Sequence, residues 1–73
     1  MIYVIALRDV APLGVNSKDN NKHVLVRGRV YKVEKISHEG NYFISDPEGT
    51  CWYYDPSAFR ELTNVERLVR GFY

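Results

Sequence analysis

The chain has a single cysteine, Cys51, so it cannot hold itself together with an internal disulfide. That excludes the disulfide-framed class of small secreted domains and points to a reducing compartment, the cytoplasm. Cys51, His23 and His38 stand at no zinc-binding spacing, so neither a metal nor a cofactor is expected. A lone cysteine on a strand is ordinarily a small core residue. No apolar run approaches the ~20 residues that cross a bilayer as a helix. The opening run Ile2-Tyr3-Val4-Ile5-Ala6-Leu7 lacks the basic flank and small-residue cleavage site of a secretion signal, and reads as a strand. No glycine-rich phosphate loop is present; Gly28, Gly40 and Gly49 stand alone as turn or bulge residues.

The sequence also lacks length. At 73 residues it makes one domain with one core and no room for a deep enclosed pocket. Catalysis finds little support in the residues that could carry it. His23 and His38 lie in or beside turns without an evident nucleophile, and Ser57 has no nearby base. Glu39 and Asp46 read as solvated hairpin charges. The expected activity is therefore binding, by a monomer, and not an enzymatic reaction.

What the chain has in surplus is aromatic side chains, six of them Tyr, at 14% of residues. Aromatics suit a half-buried pleated surface, and they also supply rigid contact area at interfaces. The net charge of +1 is unevenly spread. Residues 22–35 carry Lys22, Arg27, Arg29, Lys32 and Lys35 against Glu34 alone, while residues 39–55 carry Glu39, Asp46, Glu48 and Asp55 with no Lys or Arg. A basic side and an acidic side fit a protein partner better than a nucleic-acid partner, which favours a one-sided surplus.

Residues 2–9 read as a buried strand and residues 10–22, with Pro, Gly, Asn and Asp, as a long surface loop. Residues 23–37 are the strongest β segment. Gly28 marks a bulge or bend within it, or the junction of two short strands. Residues 38–41 form a hairpin turn, with Gly40 and Asn41 able to take positive φ. Residues 42–46 and 50–54 are strands around the tight turn Pro47-Glu48-Gly49. Residues 55–58 read as one 3₁₀ turn and residues 59–62 as a short last strand. The period then changes. Thr63 and Glu66 fit a capping box, and Val65, Leu68, Val69 and Phe72 form one helical stripe. Arg67 and Arg70 suit the end of that helix and Gly71 can terminate it. So short a helix is unstable alone, so the stripe must pack on the rest of the domain or on a partner.

The segments Val26-Arg27-Gly28-Arg29-Val30-Tyr31-Lys32-Val33, Tyr42-Phe43-Ile44-Ser45-Asp46-Pro47-Glu48-Gly49 and Trp52-Tyr53-Tyr54-Asp55-Pro56-Ser57-Ala58-Phe59 resemble successive elements of small SH3-like domains common in bacteriophage genomes. The resemblance covers residues 1–62. It departs at Asp55, where such domains often have Pro, and in the added tail of residues 63–73. It implies a mainly β fold, a five-stranded, partly open SH3-like barrel with a short C-terminal helix. In size and make-up the chain also resembles phage-encoded inhibitors of bacterial RNA polymerase that permit readthrough of terminators. That likeness implies a transcription regulator acting by protein contact in the host cytoplasm.

The candidate contacts for a protein partner are Arg27, Arg29, Trp52, Tyr54, Arg67 and Arg70, or the edge of the first strand. Alternation puts Trp52 and Tyr54 on one face, which can be either core or surface. The alternative is nucleic-acid binding by the barrel. It gains if Trp52 or the tyrosines share an exposed face with Arg27, Arg29 and Lys32. It loses if that face carries Asp46 and Glu48. A proline-rich-peptide groove built on Tyr53, Tyr54 and Pro56 ranks below both.

Overall fold

β-Branched and aromatic residues suit half-buried pleated strands, and they dominate the strands of this chain. A computed structural model describes residues 2–14, 23–46 and 48–71. Its strands are β1 (Ile2–Ala6), β2 (Val30–Ile36), β3 (Tyr42–Ser45), β4 (Cys51–Tyr54) and β5 (Phe59–Glu61). They form one antiparallel sheet in the order β4-β3-β2-β1-β5. A 3₁₀ turn, Pro56–Ala58, leads from β4 into β5, and helix α1 (Asn64–Arg70) follows β5. The sheet is open, with β4 and β5 at its edges.

One face of the sheet is the core. Val4, Ala6, Val33, Ile44, Tyr54 and Phe59 are buried there, with Ile2, Tyr31, Tyr42 and Trp52 packed against them. Val10 and Leu25 join this core through an isolated antiparallel bridge. Residues 10–22 were expected to be surface loop throughout, but Val10 and Pro12 are buried. Residues 15–22, Pro47 and Phe72 lie outside the described residues.

Three local outcomes decide between expectations or depart from them. Of the alternatives open at Gly28, residues 23–37 do not run as one strand but break there. Val26-Arg27-Gly28-Arg29 is a turn closed by Arg29 N donating to the Val26 carbonyl at 3.1 Å, and β2 starts only after it. Gly28 sits at the third position with φ of 85°, the left-handed conformation that a type II turn demands there. The irregularity of β2 falls later. Val33 faces Ile44 and Lys35 faces Phe43, so Glu34 is an inserted bulge residue, in a stretch with no glycine to mark it. Cys51 is not in the core. It is half-buried opposite Ser45, on the other face of the sheet.

Helix α1 forms as its sequence dictates. The Glu66 amide donates to Thr63 Oγ1 at 3.1 Å and the Thr63 amide donates to Glu66 Oε1 at 3.0 Å, a complete capping box. Gly71 ends the helix with φ of 82°.

Candidate functional site

Of the expected contact residues, Tyr54 belongs to the interior and Trp52 is half-buried against it. Tyr54 is fully buried, and its hydroxyl donates to the His23 carbonyl at 2.7 Å. Burial pushes the Tyr54 phenol above its ordinary pKa, so it remains a donor at any ordinary pH. Trp52 packs against the core, and His23 lies against its ring, the centroids 4.8 Å apart. Alternation therefore places both on the core face, and Tyr54 has no surface to offer a partner. Exchanging Tyr54 for phenylalanine is expected to cost about 1 kcal/mol. That corresponds to a fall in melting temperature of roughly 4–8 °C, read by thermal denaturation.

The group that fixes this region is Asp46, a buried carboxylate and not the solvated hairpin charge that its place beside a turn implies. It is 5% exposed. Its carboxylate accepts from the backbone amides of Glu48 and Thr50, each at 2.9 Å, and from Trp52 Nε1 at 3.0 Å. His23 Nδ1 is a fourth partner. A carboxylate only accepts, so Nδ1 carries the proton. Burial pushes the Asp46 carboxyl upward, but the hydrogen bonds from Thr50, His23, Glu48 and Trp52 outweigh it and hold its pKa below the ordinary value. No signal in the local sequence joins His23 to Asp46; only the folded chain brings them together. Among the described residues no cluster of three or more His, Cys, Asp or Glu side chains could hold a metal ion.

Asp55 is also occupied locally. Its side chain accepts from the Ser57 amide at 3.0 Å and caps the 3₁₀ turn. With Asp46 buried, the acidic half of the chain presents less free charge than its composition implied. Arg27 and Arg29 are exposed on the turn before β2. They contribute backbone contacts there: the Arg27 amide donates to Asp9 Oδ1 at 2.8 Å and the Arg29 carbonyl accepts from Ala6 N at 3.0 Å.

Arg67 and Arg70 lie on α1, which is where the most unusual surface is found. None of the described residues of α1 is buried. Val65, Leu68 and Val69 are 69%, 62% and 81% exposed and stand at i, i+3 and i+4, one contiguous apolar face. Single exposed apolar residues are ordinary, but three adjacent ones on a seven-residue helix leave its stripe uncovered. The helix is nonetheless firmly set. Arg60 of β5 grips Glu66 through two bonds, Nη1 to Oε1 at 2.8 Å and Nη2 to Oε2 at 2.9 Å. Hydrogen bonds from Arg60 and from the Thr63 amide lower the Glu66 carboxyl to about 2, so the pair stays ionised at ordinary pH. The Arg67 guanidinium stands 5.7 Å from the centre of the Tyr3 ring on β1. α1 is thus tied to the sheet by polar and cation–π contacts while its apolar face points elsewhere. The stripe made by Val65, Leu68 and Val69 was legible in the sequence; that the sheet leaves it open was not.

No protein-family model matches the chain, and no curated protein or solved structure is significantly similar to it. No helix among the described residues is long and apolar enough to cross a membrane.

Proposed function

We propose that this protein is a non-enzymatic binding module that docks on another protein through α1. The observation that carries this reading is the exposed apolar face of Val65, Leu68 and Val69 on a helix capped at both ends and clamped to β5. Ordering costs that would oppose binding are largely met in the free protein, because the helix is already formed and oriented. The charged residues stand on the other side of the helix. Glu66 is paired with Arg60, Arg67 is turned to the Tyr3 ring, and exposed Arg70 shares their side. The complementary surface is therefore an apolar groove, entered by a short amphipathic helix.

The antiparallel strand order with β5 returning beside β1, and the 3₁₀ turn that leads into it, are the layout expected of an SH3-like barrel, and they support that reading of the fold. The likeness in size and make-up to phage-encoded polymerase inhibitors suggests bacterial RNA polymerase as the partner and transcription inhibition or antitermination in the host cytoplasm as the outcome. Arg27 and Arg29 are a second, electrostatic element of the contact. Reversing both to glutamate is expected to slow association and reduce its salt dependence while the melting temperature stays close to that of the parent, since both hold the turn through backbone groups.

The test is binding to purified bacterial RNA polymerase, free of nucleic acid, by biolayer interferometry. Association that is lost in a Leu68→Glu variant supports the reading. Absence of association, or association that the variant retains, overturns it.

A further inference from the structure

Among the described residues, the aromatics that the core does not use are gathered on the opposite face of the sheet. Tyr3, Phe43 and Tyr53 alternate with the core-facing Val4, Ile44 and Tyr54. Phe43 and Tyr53 are cross-strand partners, their centroids 4.8 Å apart and their planes inclined at 48°. Lysines share this face. Lys32 is the register partner of Tyr3, and Lys35 is the register partner of Phe43, its Nζ 4.7 Å from the ring centre.

The placement of Lys35 is a product of the bulge. Strict alternation along β2 would put Lys35 on the same side as Val33, which is buried in the core. The insertion of Glu34 turns it over and sets it beside Phe43 instead. Bulges commonly re-aim a side chain in this way next to a functional site. Beside the Phe43–Tyr53 pair an open groove of about 860 Å³ runs between Leu13 and the turn at Ser37 and Asn41, with Lys35 and Tyr53 in its lining. That volume lies within the roughly 300–1,000 Å³ of small-ligand clefts.

We propose that this face is a second binding site, for single-stranded nucleic acid, independent of the docking of α1. Flat bases stack on Phe43 and Tyr53, one of them entering the groove, and Lys32 and Lys35 meet the flanking phosphates. The face is only weakly basic. Glu34 lies 3.9 Å from Lys32, and Glu39 also lines the groove. Stacking must therefore supply more of the affinity than phosphate charge does, which selects single strands, whose bases are free, over duplex. Of the two acidic residues that would have argued against nucleic acid, Asp46 is buried and satisfied elsewhere, while Glu48 stays exposed in the turn between β3 and β4.

The test is fluorescence anisotropy with labelled oligothymidylate and oligouridylate of about ten nucleotides, within the site sizes of single β-barrel binders, beside a duplex of the same length. Wild-type protein is expected to bind one or both single strands at low salt and to bind the duplex more weakly. Which strand is preferred identifies DNA or RNA. Phe43→Leu and Tyr53→Leu keep apolar cover but remove the flat ring, and each is expected to weaken binding by about tenfold or more. Lys35→Glu is expected to weaken binding and to flatten the logarithmic salt dependence by about 0.7, one phosphate contact on a single strand. Leu68→Glu is expected to leave it unchanged, which separates this site from the protein contact. Failure of the wild-type protein to bind either single strand, undiminished binding by folded Phe43→Leu and Tyr53→Leu proteins, or equal affinity for duplex overturns the proposal.

Discussion

Replacing Asp46 with alanine is expected to lower the melting temperature by roughly 12–24 °C, at about 4–8 °C per kcal/mol for a domain of this size. The substitution strands four N–H donors at once: Trp52 Nε1, His23 Nδ1 and the amides of Glu48 and Thr50. An unsatisfied buried donor costs about 1–3 kcal/mol. The two amides lie in an exposed turn that water can reach, so the ring donors carry most of the loss, about 3 kcal/mol in sum. That is a large share of the margin of a small domain, typically about 0.05–0.15 kcal/mol per residue. Asp46→Asn is expected to fall between the parent and the alanine variant, because one oxygen still accepts while the new amide opposes a donor.

The same carboxylate contributes to the acid sensitivity, beside Glu66 and Asp55, whose pKa values are also held down by hydrogen bonds. In the folded chain Asp46 holds its proton less tightly than in the unfolded chain. Its stabilisation is therefore complete above the ordinary aspartate pKa, about 3.9, and is lost as pH falls below that value. Thermal melts from pH 7 to pH 2 should show the steepest loss below pH 4 in the parent and a shallower one in Asp46→Asn. Equal slopes would mean that other carboxylates govern acid unfolding.

Leu68→Glu is expected to abolish docking on a protein partner while leaving the fold intact. Leu68 is 62% exposed, so its removal takes little from the free protein, and surface changes of this kind stay within about ±0.5 kcal/mol. Glutamate is also a good helix former. In the complex the leucine would be buried, a gain of about 1.5–3 kcal/mol. Glutamate forfeits that gain and brings a charge into an apolar groove. The two effects together amount to at least about a hundredfold in Kd. Calorimetry or interferometry against the purified partner, with a melt of the variant as control, measures both halves. A variant that melts with the parent and binds like it would show that α1 is not the contact.

The sequence was most informative where structure is local. Thr63 and Glu66 lie three apart and cap each other, Gly71 ends the helix, and Asp55 caps the 3₁₀ turn. The expected turns and strands fall close to their places for the same reason. What could not be read was set by residues distant in the chain. Alternation assigned Trp52 and Tyr54 to one face, but only the packing of β1, β2 and Phe59 against them makes that face the core. Asp46 looks like an ordinary hairpin acid until His23 arrives beside it. Glu34 carries no conformational mark, so the bulge that sends Lys35 to the outer face had no signature. The alternative of two short segments meeting at Gly28 was legible, because a left-handed turn position requires that residue type.

The order of the sheet has a bearing on when the binding surface comes into existence. β1 lies between β2 and β5, with Val4 opposite Glu61, so the strand made first completes its pairing with the strand made last. Such distant pairing is slow to close. α1 comes directly after β5 and takes its orientation from Arg60 on that strand and from Tyr3 on β1. A chain whose sheet is unfinished has no platform for the helix, and so short a helix does not persist unaided. Exposure of an oriented Val65, Leu68 and Val69 is thereby reserved for molecules that have already folded, and a partner that reads α1 also reads the integrity of the domain behind it.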